Sequence, residues 1–314
     1  MKQETKNKII KEIIRRVILN TGESHRLVVQ DVLDEEFINF CISFFKKIVS
    51  KKLSDEPIDV DWYKTEFLSE NLDKVDIATN AGLNMKSITN AYNTTTKGTV
   101  IQASLDHYES FCNTIERLIE TGGDLEIELT IKFNKVSVDL NVSESLIVIN
   151  ALAVKRSAIA GGLWSFSGKN AEKPLVTALC KLYDVHDKHY SGYGPASRRE
   201  IDFYLISDDG EAHKTEVKLM GRGNPESADV IHARSTEIFV ADRLSDLNKE
   251  QFDEVGVQWV ALNDEGGYKR FKDVLNYYNI PHSDDPIDVE EKLNGILDEM
   301  FTPYIYNFEI KENK

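Results

Sequence analysis

Ile9, Ile10, Ile13, Ile14, Val17 and Ile18 recur at helical spacing through residues 6–19, with Lys and Arg on the opposite side. This predicts an amphipathic helix packed on its domain, with a DNA-phosphate role for Lys8, Lys11, Arg15 and Arg16 as the alternative. Residues 34–52, rich in Phe and Ile, predict a second helix. Pro57 interrupts the pattern before a further helical stretch near Trp62. A long helix over about 99–120 is expected to end at Gly122-Gly123. LEIELTIKF and KVSVDLNV then alternate apolar and polar positions around Asn134, as a β-hairpin does. That hairpin reads either as a wing on the preceding helices or as an edge of the next domain.

Ser143 is expected to cap an apolar helix reaching about Ala160, with Glu144 in its first turn. Gly161-Gly162 should end that helix. Gly168 should precede another, with Glu172 in its first turn and Leu175, Leu179 and Leu182 facing a core. IDFYLI and TEVKLMG are short and β-favouring, and Asp208-Asp209-Gly210 supplies the turn between them. TEIFVADRL, a helix with Phe252, and VQWVAL follow as strand–helix–strand. The chain therefore divides into a mainly helical part, 1–142, and a mixed part, 143–314.

Residues 74–91, KVDIATNAGLNMKSITNA, fit a helix-turn-helix: Ala78 is the small residue at the crossing and Gly82 lies in the turn. Ile77, Ala81, Leu83, Ile88 and Ala91 take the apolar positions. The second helix would present Asn84, Lys86, Ser87, Thr89 and Asn90, side-chain types that read base edges and phosphates. Lys97 follows, and residues 85–98 contain no acid. A plain helical hairpin gives a similar pattern.

Composition narrows the picture without deciding it. The chain has 314 residues, enough for two modest domains, and no apolar run of bilayer-crossing length or signal-peptide layout is read from it. A soluble, cytoplasmic protein with no membrane partner is expected. Cys41, Cys112 and Cys180 sit in apolar helical patterns without CxxC pairing, so buried free thiols are expected. The net charge of −15 counts against DNA binding unless the basic groups cluster.

Charge placement in the second half carries the chemistry. Asp202 lies at the start of the first short strand, and Glu216 and Lys218 flank Val217 in the second. Residues two apart on a strand project to one face, so Glu216 and Lys218 point together, and the hairpin can bring Asp202 beside them. Three charges on apolar strands are costly unless they serve one another or a metal. Two hard carboxylates suit Mg²⁺, and a neighbouring Lys can orient water. The alternative is a surface hairpin with a weak Glu216–Lys218 ion pair.

Asp202, Glu216 and Lys218 resemble the PD-(D/E)XK motif of the restriction-endonuclease-like nucleases. GGLWSFSGKNAEKPLVTALCKLY with REIDFYLI and TEVKLMG is similar to CfrBI-like type II restriction endonucleases. Ile201 replaces the motif's Pro. The resemblance implies an α/β (α+β) core, a mixed sheet flanked by helices, beside the helical domain with its helix-turn-helix. It implies Mg²⁺ held by Asp202, Glu216 and the Val217 carbonyl, with Glu172 as a further acid from the first helix. Lys218 would position the attacking water, and products would carry 5′-phosphate and 3′-hydroxyl ends. The implied partner is double-stranded DNA and the implied assembly a homodimer. No P-loop or Rossmann glycine pattern suggests a nucleotide cofactor.

Lys169, Arg198, Arg199, Arg222, Asn224 and Arg234 flank the motif and are candidates for DNA contacts, or are solvated loop residues. His186 and His189 read as ordinary loop residues. Three other readings compete: a repair or defence nuclease of the same fold without strict sequence preference, a winged helix-turn-helix regulator, and a structural DNA-bound protein with a dead nuclease fold, against which the intact Asp202, Glu216 and Lys218 set argues.

Overall fold

The computed structural model describes residues 3–21, 25–121, 128–133, 135–192, 203–219 and 235–302. It contains two compact units, Val32–Leu163 in one and Met1–Asp31 with Trp164–Lys314 in the other. This grouping differs from the sequence-based division at 142/143. The isoleucine stripe explains why the N-terminal helix joins the later residues. In α1 (Gln3–Leu19) the six predicted apolar residues are all buried, and α1 packs on α10 (Val289–Phe301). Lys11 pairs with Asp298, and Arg15 with Glu12 and Glu290, so these cations have structural partners.

The Val32–Leu163 unit is helical with one hairpin. α2 (His25–Leu53) begins nine residues before the predicted start. α3 (Val60–Phe67), α4 (Lys74–Asn80), α5 (Met85–Tyr92) and α6 (Lys97–Thr121) follow. β1 (Leu129–Phe133) and β2 (Val136–Leu140) pair antiparallel as a separate two-stranded sheet. Ile131, Val138 and Leu140 belong to the same core as Phe44, Trp62, Tyr63 and Phe67. The hairpin is therefore not an edge of the larger sheet.

α7 (Val142–Leu182) is one continuous helix of 41 residues, which corrects the predicted breaks at Gly161-Gly162 and Gly168. Pro174 lies inside it, and Glu172 is in its interior rather than a first turn. An interior Gly costs about 1 kcal/mol relative to Ala, and an interior Pro about 3 kcal/mol. Leu175, Val176, Leu179 and Leu182 are each fully buried. At about 1.5–3 kcal/mol per large apolar side chain, that burial outweighs the helix-breaking residues. The predicted cap at Ser143 is also corrected: Asn141 Oδ1 accepts from the Glu144 N–H at 3.0 Å, and Glu144 Oε2 accepts from the Asn141 N–H at 3.0 Å.

By length and composition α7 is apolar enough to cross a membrane. That corrects the expectation that no segment is; the breaks expected at the glycines had divided the stretch. A Cβ at Gly161 or Gly162 would meet nothing within 4 Å. Gly161→Ala and Gly162→Ala are therefore each expected to stabilise the protein by about 1 kcal/mol, read as a higher urea midpoint at unchanged m-value.

The second unit holds a five-stranded sheet in the order β3 (Tyr190–Ser191), β4 (Phe203–Ile206), β5 (Ala212–Lys218), β6 (Ile238–Ala241), β7 (Gln258–Ala261). β3, β4 and β5 pair antiparallel, and β5, β6 and β7 parallel. This mixed sheet matches the expected core class. The DDG turn joins β4 to β5, with Gly210 at φ +89°. α8 (Asp246–Glu254) connects β6 to β7 and sets Phe252 against Phe239, completing the predicted strand–helix–strand.

α9 (Arg270–Tyr277) follows the edge strand. Arg270 Nε donates to the Trp259 carbonyl at 2.8 Å, which occupies an acceptor on the open edge. Gly267 closes on the same edge, where a Cβ would stand 2.2 Å from the Ala261 oxygen, so only glycine fits. Cys112 and Cys180 are buried free thiols as expected, whereas Cys41 is only half-buried.

Candidate active site

β5 is the central strand, and its register places the charged residues. Thr215 lies between Phe203 and Ile238, Glu216 beside Phe239, and Lys218 beside Ala241. Alternation puts Glu216 and Lys218 on one face, while Val217, fully buried, turns to the other. Lys218 Nζ stands 2.9 Å from Glu216 Oε1. The Glu216 side chain is 1% exposed and that of Lys218 is 42% exposed. The predicted convergence of carboxylate and ammonium is therefore present. It is not a surface pair, because the anion is buried in the sheet while the cation reaches solvent.

Asp202 lies outside the described residues, as do Arg198, Arg199, Arg222, Asn224 and Arg234. Among the described residues no group of three or more His, Cys, Asp or Glu forms a metal cage. Mg²⁺ does not need one: it binds through one or two carboxylates and keeps several waters. A buried carboxylate of hard oxygen chemistry fits such an ion.

α7 approaches the end of β5 at Gly168, where a Cβ would lie 3.9 Å from the Leu219 oxygen. Glu172, half-buried, is one turn further along the same side of the helix. Lys169 is exposed beside Gly168. His189 is buried, with Nδ1 3.0 Å from the Ile206 oxygen.

One acid escaped the sequence reading. Asp242, 2% exposed, directly follows β6, and its N–H donates to the Lys218 carbonyl at 3.3 Å. The signal was available: an acid closing the apolar run IFVA, where a charge is expensive without a purpose.

In the helical unit, α4 and α5 flank a turn in which Gly82 has φ +84°, a conformation suited to glycine. Ile77, Ala78, Ala81 and Ile88 are buried as predicted, and Leu83 is half-buried. Ala91 is exposed, a correction: α5 ends one residue later, so its last turn extends past the core. Asn84, Lys86, Ser87, Thr89, Asn90 and Lys97 are all exposed. Asn84 Oδ1 caps α5 by accepting from the Ser87 N–H at 2.8 Å, and Thr89 Oγ1 donates to the Met85 carbonyl. Three of the six thus have local duties as well.

Among known protein families, residues 7–249, more than half of the chain, match the family model of the CfrBI restriction endonuclease. No curated protein and no solved structure matches.

Proposed function

The chain belongs to the CfrBI restriction endonuclease family, and from that premise we propose that it is a type II enzyme: a Mg²⁺-dependent hydrolase of double-stranded DNA at a short recognition sequence, within a restriction–modification system. The observation that carries the reading is the buried Glu216 carboxylate with the Lys218 ammonium at 2.9 Å on the central strand.

Asp202 directly precedes Phe203, and Glu216 directly follows Thr215, the register partner of Phe203. Asp202, Glu216 and the Val217 carbonyl are the proposed holders of Mg²⁺, with Glu172 as an acid from α7. The ion would supply Lewis acidity toward the phosphate and toward water. Lys218 positions the attacking water and offsets charge developing on the phosphate. Glu216 is buried beside Phe239, and a carboxylate withdrawn from bulk water interacts more strongly with the charges near it.

α4 and α5 are proposed as a helix-turn-helix whose exposed Asn84, Lys86, Ser87, Thr89 and Asn90, followed by Lys97, meet DNA. The acid-free surface of residues 85–98 supports this in a chain of net charge −15. The flanking Lys169, Arg198, Arg199, Arg222, Asn224 and Arg234 are proposed phosphate and base contacts. Cutting both strands of a symmetric site calls for two copies of one active site, so a homodimer is proposed.

Incubating linear phage DNA with the protein and Mg²⁺ is expected to give discrete fragments with one sequence at every end. A smear would favour the nonspecific nuclease. Intact DNA with sequence-dependent binding would favour the winged helix-turn-helix regulator. Lys86→Ala with Asn90→Ala is expected to weaken binding to cognate DNA at least tenfold, at about 1–3 kcal/mol per lost base contact, measured by gel shift in Ca²⁺.

A further inference from the structure

The Glu216–Lys218 pair is unequal. Glu216 is sealed in the central strand at 1% exposure, between β4 and β6, so it cannot leave its position without breaking the sheet. Lys218 stands at the last residue of β5 with a side chain 42% exposed on a flexible four-carbon stem. A carboxylate so buried needs a positive charge nearby. The ammonium 2.9 Å from it can move away, since its exposed side chain lets it be rehydrated.

We propose that Lys218 is an exchangeable counter-ion: the ammonium and a divalent cation compete for the Glu216 carboxylate, and cation binding releases Lys218 toward the substrate side. This rests on the nuclease reading and deepens it, because the group that handles water becomes available only when the site is charged with metal. The reason is electrostatic. An ammonium held against the carboxylate repels a second cation there, whereas one displaced into water is screened. Metal affinity and Lys218 position are then reciprocally linked.

The test is a calorimetric titration with Mn²⁺ of the full chain and of Lys218→Met, without DNA. The inference expects Lys218→Met to bind Mn²⁺ about fivefold tighter or more, with a larger Mn²⁺-induced rise in Tm than the unsubstituted protein shows. Lys218→Arg, which keeps the charge, should bind as the unsubstituted protein does. If Lys218→Met does not fold, Lys218→Gln, neutral but able to hydrogen-bond Glu216, carries the same expectation. Equal or weaker Mn²⁺ binding by the neutral variant, in a protein that binds Mn²⁺ and cuts DNA before substitution, overturns the exchange while leaving the nuclease reading intact. Absence of Mn²⁺ binding and of cleavage in the unsubstituted protein overturns both.

Discussion

Glu216→Gln is expected to lower Mg²⁺-dependent DNA cleavage by about a thousandfold or more while leaving the fold intact. The substitution preserves volume at a fully packed position beside Phe239 and Val217, so no cavity forms. It removes the negative charge on which the proposed metal site depends, and the Lewis-acid contribution at stake in that proposal is several kcal/mol, each 1.36 kcal/mol being tenfold in rate. Single-turnover cleavage of a plasmid, with circular dichroism as the check on folding, reads both halves of the expectation. A conservative change on the same strand but away from this face, such as Thr215→Val, should leave the rate within a fewfold, since Thr215 turns to the other side.

The second large effect lies in the helical unit. Glu144, 4% exposed, accepts from the N–H groups of Ile58 at 3.1 Å and Asn141 at 3.0 Å, and pairs with Lys52 at 3.0 Å. One carboxylate thus caps α7, ties down the segment before α3 and balances a cation from α2. Glu144→Ala leaves two backbone donors without their partner, at about 1–3 kcal/mol each, so a loss of about 2–6 kcal/mol is expected. Urea unfolding measures it.

Burial alone would raise the Glu144 pKa. The two N–H bonds and Lys52 overcome that and hold it below the ordinary value of 4.5. A carboxylate lowered in the folded state contributes stability that is present above its unfolded pKa and lost as pH falls through the folded one. Acidification below about pH 4.5 is therefore expected to erode the advantage of the unsubstituted protein over Glu144→Gln. If the difference in Tm between the two persists unchanged into that range, the assigned role of the carboxylate is wrong.

Much of the fold was legible because its signals are local and repeated. Six apolar residues at helical spacing buried α1 as read, and the DDG turn placed β4 against β5. The ExK spacing put Glu216 and Lys218 on one face because strand periodicity admits no other result. The continuity of α7 was not legible. Gly161, Gly162, Gly168 and Pro174 each speak against a helix locally, and only the burial of Leu175, Val176 and Leu179 overrides them. Nor did the pattern show that α1 belongs with the sheet rather than with the helices that follow it, because a stripe of isoleucines does not name its partner. The cap at Asn141 was missed in favour of Ser143 because both residue types cap, and the deciding group, Glu144, serves a box three residues on from Asn141. In the candidate site, the spacing put Glu216 and Lys218 together, and Val217 entered only through the resemblance. Asp242 was missed because its proximity comes from β6 pairing alongside β5, a contact between residues 24 apart in sequence.

The most direct test of the central claim is a crystal of the protein soaked in Mn²⁺ and measured at the manganese absorption edge. The account predicts an anomalous peak about 2.1 Å from a Glu216 carboxylate oxygen, absent from crystals of Glu216→Gln. A peak elsewhere on the protein, or none beside Glu216 at millimolar Mn²⁺, would contradict it.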